Sequence, residues 1–204
     1  MRIEFISDYR SPYSYLANAK LKTMEVDVDH KPLDIVAVMR LVNNRPSPEC
    51  PAKARYSGID APRWAKLYGV EFSPNQALLK AMSAGAFDGA TLSRVALVAQ
   101  RLGIFDQVND ALFEAMWAGD DDLASEDGRS RFLRKRNIAA DDLWSLGSEP
   151  EIVRLQAEQA KAAADRGVFG APTIFVGDEM FFGNDRLSFV EARLNGSSKV
   201  GAVA

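Results

Sequence analysis

The sequence predicts an α/β fold with a set order: strand, helix, strand, then a long helical block, then strand, strand, helix. Three observations carry it. A short alternating run opens the chain and gives way to helical spacing. The middle, roughly 40–166, repeats a helical period. After Gly167 the pattern switches to two apolar runs separated by Gly177-Asp178.

Taken in order, residues 2–7 (RIEFIS) alternate and end in an apolar run, as a strand does. From Ser14 to Met24, Leu16, Ala17, Leu21 and Met24 recur close to helical spacing. Residues 32–38 (PLDIVAV) read as a second strand, which makes a βαβ unit with a parallel pair. Residues 43–62 hold Pro46, Pro48, Pro51 and Pro62 and read as an irregular loop, followed by a short helix from Arg63 to Tyr68 stopped by Gly69. Helices are expected over 85–103, 105–117, 125–137 and 148–166. Residues 167–183 read as strand, turn, strand, with Gly177-Asp178 as the hairpin turn. Leu187 to Leu194 reads as a closing helix and 195–204 as a tail.

Composition removes several function classes. The 204 residues carry a net charge of −3, which argues against a nucleic-acid partner. No run of 18 apolar residues offers a membrane span. Glu4 and Asp8 interrupt any apolar leader, so a cytoplasmic protein with no membrane partner is expected. The single cysteine, Cys50, precludes an intramolecular disulfide and an all-cysteine metal site. The single histidine, His30, makes a histidine-built metal site or a Cys–His dyad a poor reading, and no metal is expected.

Two stretches can carry chemistry. At the first, Ser11-Pro12 stands between strand and helix, where Ser serves as N-cap and Pro as the first helical residue. At the second, Gly170-Ala171-Pro172-Thr173, the proline opens a strand, where its missing donor is tolerated. The Ala171-Pro172 bond is a place for either an ordinary trans link or a cis bond that presents the Ala171 backbone to an extended ligand. Together, βαβ followed by ββα with Pro opening the third strand is the thioredoxin-type order. That arrangement brings Ser11 to face Ala171-Pro172.

The segments FISDYRSPYSYLA, RWAKLYGVEFSPN and GVFGAPTIFVGDEMFFGNDRL resemble the 2-hydroxychromene-2-carboxylate isomerases, relatives of kappa-class glutathione transferases and of DsbA-type disulfide oxidoreductases. The resemblance spans about residues 2–194. It implies a thioredoxin-like domain (residues 1–40 and 167–204) interrupted by an inserted all-helical domain (41–166), with glutathione bound at their junction. It also implies a homodimer. A disulfide oxidoreductase needs C-x-x-C at the start of the first helix, and here the four residues are Ser11, Pro12, Tyr13 and Ser14. With no sulfur of its own at that place, the protein is expected to borrow the thiol of glutathione. Cys50, in the proline-rich stretch, reads as an incidental thiol.

The resemblance further implies glutathione contacts at Ser11, Pro12 and Tyr13, with the ligand backbone paired to Ala171 ahead of Pro172. It places the γ-glutamyl end at Asn184 and Asp185, the glycyl carboxylate at Lys53, and a supporting Asn at Asn44. Asn184-Asp185 also reads as the N-cap of the last helix. Ser11 is read as the catalytic residue. Its hydroxyl can hydrogen-bond the sulfur and favour the thiolate, aided by the free amides and positive dipole end of the helix. No base stands near enough to make Ser11 itself a nucleophile. The implied reaction interconverts 2-hydroxychromene-2-carboxylate and trans-o-hydroxybenzylidenepyruvate, a small aromatic ketoacid, in naphthalene-type catabolism. The thiolate adds to the conjugated carbon, the bond rotates, and glutathione returns unchanged. Other readings are a kappa-like transferase, a glutathione-binding module without turnover, and a DsbA-like chaperone. Arg10 is a candidate for attracting the substrate carboxylate. Arg129 to Arg136 reads as a solvated basic helix face. Trp64, Trp117 and Trp144 read as core or domain-interface residues, and Trp64, Tyr68 and Phe87 as an alternative apolar pocket.

Overall fold

The computed structural model describes residues 2–196. The tail expected over 195–204 lies, from 197 onward, outside them. β1 (Arg2–Ser7) leads into α1 (Pro12–Leu21) and β2 (Asp27–Pro32). Then come α2 (Ile35–Leu41), α3 (Pro51–Tyr68), α4 (Gln76–Ser83), α5 (Ala90–Arg101) and α6 (Phe105–Trp117). α7 (Glu126–Lys135), α8 (Leu143–Leu146) and α9 (Pro150–Asp165) complete the helical run. β3 (Thr173–Val176), β4 (Glu179–Phe182) and α10 (Leu187–Leu194) close the chain.

The four strands form one mixed sheet in the order β2-β1-β3-β4. β1 and β2 run parallel, in register Phe5 with His30, while β3 lies antiparallel to β1 and β4 to β3. Side chains alternate across the pleat, so each face collects its own helices. Ile3, Phe5, Ile174 and Val176 pack on one face against Ala17 and Leu21 of α1 and Leu187 and Val190 of α10. Ile6 and Phe175 point the other way, against Ile35 and Val38 of α2 and Ala160 and Ala163 of α9. This is a thioredoxin-like α/β fold. A separate core, built on Leu92, Val95, Leu112, Phe113, Met116 and Phe132, holds α4 to α8 together and takes in Tyr9 from the β1–α1 turn.

Two expectations are corrected. The strand read over 32–38 shares only Pro32 with the observed one: β2 is Asp27–Pro32, and Ile35 begins α2. The Asp34 side chain caps that helix, accepting from the backbone amides of Val36 and Ala37 at 3.1 and 3.3 Å. β2 is an edge strand carrying Asp27, Asp29 and Lys31, and such charges keep an open edge from pairing with other chains. The loop read over 43–62 is mostly α3. Pro51 occupies the first turn, where no donor is missed. Pro62 removes one interior hydrogen bond, and the carbonyl it leaves belongs to exposed Gly58, where water can serve it. α4 was not expected. Asn75 starts it, accepting from the Leu78 amide at 3.0 Å.

The basic face of α7 is not wholly solvated. Phe132 and Leu133 are buried, and Arg136 pairs with Asp121 and Glu114. Trp117 and Trp144 lie in the core, as read.

His30 makes a prediction. Its ring is wedged between Phe5 and Phe105, with centroids at 5.6 and 5.1 Å, and its buried Nδ1 has no partner among the described residues. Burial holds its pKa below the ordinary 6.5, against the pull of Asp106, Asp110 and Asp29; Lys22 adds to the lowering. The folded chain then binds fewer protons here than the unfolded one. Stability present above pH 6.5 is lost as pH falls toward the lowered folded value. Urea midpoints should therefore drop as pH falls below 6.5, and less so in His30→Phe. Equal drops in both proteins would show that His30 is not the cause.

Candidate active site

The N-terminus of α1 is assembled by local hydrogen bonds. Ser11 takes an extended backbone, and its Oγ accepts from the Ser14 amide at 3.1 Å. Pro12 fills the first helical position. The amide of Tyr13, next in the turn, has no protein acceptor among the described residues, so one first-turn donor stays open. Buried Ser14 turns its own Oγ back to accept from the Asp8 amide.

The loop before β3 meets this helix end. The Ala171-Pro172 bond is cis. The Ser11 hydroxyl donates to the Ala171 carbonyl at 3.2 Å across 160 residues of chain. The Ala171 amide has no protein acceptor among the described residues. Thr173 Oγ1 donates to the Gly170 carbonyl, and the Gly183 amide donates to the Pro172 carbonyl, so the loop is held from both sides. Asn44 adds a third hold, its Nδ2 donating to the Phe169 carbonyl at 2.8 Å.

Gly183 has φ of 104°, a region L side chains avoid, and there the chain turns from β4 into the 3₁₀ turn Asn184–Arg186. That turn lies against α1. Asn184 is 3% exposed, and its Nδ2 is buried without a partner among the described residues. Its carbonyl accepts from Tyr68 Oη at 3.0 Å, which ties α3 to the turn. Asp185 is exposed and pairs with Arg186.

Beside Tyr13 opens a cavity of about 400 Å³ lined by Tyr13, Ser47, Ala52, Lys53, Tyr56 and Ser57. It is of the size that small-molecule sites have. Lys53 is exposed on its wall. The Tyr13 hydroxyl donates to Asp60 at 3.1 Å, and its pKa is pushed up to about 12, by burial first and by Asp60 beside it.

The structure thus brings Ser11, Pro12, Tyr13, Ala171 and Pro172 into one place. Asn184 and Asp185 lie against α1 from one side, and Lys53 shares the cavity with Tyr13. Asn44 sits behind the loop, and its amide is spent on Phe169. Cys50 is the residue before α3, so the sulfur lies off the helix end where a thioredoxin-type cysteine would stand.

Comparison with known proteins fits this geometry. The family model of the DsbA-like thioredoxin domain matches residues 2–195. A 2-hydroxychromene-2-carboxylate isomerase from Pseudomonas putida is 32% identical, covering 95% of this chain and 94% of its own. The chain belongs to the DsbA-like thioredoxin family and, within it, to the 2-hydroxychromene-2-carboxylate isomerase family. A solved structure of a 2-hydroxychromene-2-carboxylate isomerase superposes with a TM-score of 0.80 at 25% identity, covering 97% of this chain and 96% of that one. Glutathione S-transferase kappa 1 of Caenorhabditis elegans is 22% identical over 93% of this chain and 88% of its own.

Within this isomerase family member, two expectations about side chains are corrected. Arg10 is not free to attract a carboxylate. Its guanidinium is bound to Asp8 and Asp34, and its side chain is 22% exposed. Burial would lower its pKa, but Asp8 and then Asp34 outweigh that and raise it. Phe87 is buried in the helical core, in a different cluster from Trp64 and Tyr68, whose rings stand 5.4 Å apart beside α1. Sequence reasoning missed Asp60, which accepts from three aromatic side chains. Its signal was the spacing Tyr56, Asp60, Trp64 on one helix face, hidden because that stretch read as a loop.

Proposed function

We propose that this chain is a glutathione-dependent isomerase. It interconverts 2-hydroxychromene-2-carboxylate and trans-o-hydroxybenzylidenepyruvate in the breakdown of naphthalene-type aromatics. The observation that carries the reading is the 3.2 Å contact of the Ser11 hydroxyl with the carbonyl ahead of cis-Pro172, at a helix end with no cysteine. Its isomerase and kappa-transferase relatives support it.

Held at Ser11 and Ala171, glutathione would supply a thiolate able to add to a conjugated carbon and to be expelled again once the resulting single bond has turned. The chain's own residues prepare that sulfur. The Ser11 hydroxyl can turn from the Ala171 carbonyl to the sulfur, because an anion is the stronger acceptor. The open Tyr13 amide and the dipole of α1 favour the charged form further. Pro12 contributes no donor of its own and leaves that amide first in line. The open amide and the carbonyl of Ala171 suit a peptide backbone. The exposed Asp185 suits the ammonium at the γ-glutamyl end, and buried Asn184 holds the turn that presents it. Lys53 suits the glycyl carboxylate. Asn44 acts through the loop it holds.

Retention on immobilised glutathione, combined with an ultraviolet assay of chromene isomerisation, tests the reading. Retention with isomerisation is expected. Retention without isomerisation, but with conjugation of a chloro-dinitro aromatic, would favour a kappa-like transferase, the second reading that the nematode relative supports. No retention would overturn both.

A further inference from the structure

Asp60 is an unusual carboxylate. Tyr13 Oη and Trp64 Nε1 each donate to its Oδ2 at 3.1 Å, and Tyr56 Oη donates to its Oδ1 at 3.2 Å. All three donors are neutral and aromatic, and among the described residues no cation pairs with it. Tyr56, Asp60 and Trp64 stand four apart and share one face of α3, while Tyr13 reaches over from α1. A brace between two helices would be expected to bury its rings. Tyr56 is instead 59% exposed, its ring held at its tip by its own hydroxyl. Holding an exposed ring in one rotamer costs side-chain entropy with little burial in return. The held rings have a common destination: Tyr13 and Tyr56 both line the cavity that begins two residues beyond Ser11, where Lys53 is the place given to the glycyl carboxylate and the ring faces are left for the second substrate.

We propose that Asp60 is a positioning residue for the second substrate: it clamps the rings of Tyr13 and Tyr56 as walls against which a flat aromatic electrophile stacks. The proposal rests on the glutathione-dependent reading of the same site. Aromatic faces prefer offset or tilted stacking, so the gain depends on the angle at which each ring is held. A carboxylate that accepts from both phenols sets both angles at once and keeps each hydroxyl a donor. The raised pKa of Tyr13 agrees, since the phenol stays protonated in the working range.

The test uses Asp60→Asn, which keeps the shape and loses the charge, and Tyr56→Ala, which removes an exposed ring with little risk to folding. In both, KM for the chromene carboxylate should rise roughly three- to tenfold, the worth of an aromatic contact. Glutathione affinity by calorimetry should stay within about twofold. Ultraviolet titration should also show a tyrosine in Asp60→Asn ionising at lower pH than in the parent. An unchanged KM in both variants would overturn the role of Asp60 while leaving the isomerase intact. A loss of glutathione affinity equal to the rise in KM would also overturn it, since Asp60 would then brace the whole site. A parent protein that binds glutathione and never isomerises would overturn the isomerase reading and this inference with it.

Discussion

Ser11→Ala is expected to lower kcat for isomerisation by roughly a hundredfold, the scale of losing one donor to a developing anion. The same change should raise the pKa of enzyme-bound glutathione, because the hydroxyl favours only the charged form of the sulfur. Ser11 has a second duty, as its Oγ also accepts from the Ser14 amide and caps α1. Losing a cap costs about 1 kcal/mol, against a total of roughly 5–15 kcal/mol for a domain, so the variant should still fold. Thermal melts then separate the two duties. A small drop in melting temperature with a large drop in kcat is the expected result. The decisive measurement is thiolate absorbance against pH with glutathione bound. If the titration is the same in parent and variant, the sulfur is activated by something other than Ser11.

Asp8→Ala should be the most destabilising single change in the region, costing about 3–5 kcal/mol, as loss of one partner from a buried ion pair does. Asp8 is 1% exposed and accepts from four donors: the Arg10 amide at 2.8 Å, Arg10 Nε at 2.9 Å, Arg10 Nη2, and the Ile35 amide at 2.9 Å. Without it, Arg10 keeps only Asp34, and the first amide of α2 loses its acceptor. The group therefore ties the end of β1 to the start of α2, one turn behind Ser11. Urea unfolding should show a lower midpoint with an unchanged slope. A loss below about 1 kcal/mol would mean that water or Asp34 replaces Asp8. Activity measured well below the melting temperature should fall much less than in Ser11→Ala, because Asp8 shapes the turn and touches no ligand in this reading.

Local signals in the chain were read correctly where the physics is local. Ser11-Pro12 announced a helix start, because a cap and a first-turn proline act within three residues. Gly177-Asp178 announced the β3–β4 turn for the same reason, and Gly177 takes the positive φ of 63° that glycine favours. Where partners are distant, reading failed. β2 is DVDHKP, a polar run with no strand signature of its own. It is a strand because β1 offers it a parallel ladder from Arg2–Asp27 to Ser7–Pro32. The neighbouring IVAVMRL looks like a strand by its β-branched residues, yet Asp34 caps it into α2. α3 was obscured by its prolines and by a thin buried stripe, Ala61 and Ala65 against Leu16, too narrow to show as amphipathicity.

The chain alone decided the coarse order (a strand and helix at the start, a helical middle, and strand, turn, strand and helix at the end), the sulfur-free helix start at Ser11, and the candidate loop at Ala171-Pro172, since each rests on residue type and near-neighbour spacing. Only the folded molecule decided which state the Ala171-Pro172 bond takes, that Arg10 is already spent on Asp8 and Asp34, that Phe87 belongs to the core, and that three aromatic rings converge on Asp60. These are contacts between groups up to 160 residues apart, such as Ser11 with Ala171. A hydrogen-bonding group has many partners open to it in sequence and takes only a few in space. Packing makes that choice by bringing those few within about 3 Å and excluding water.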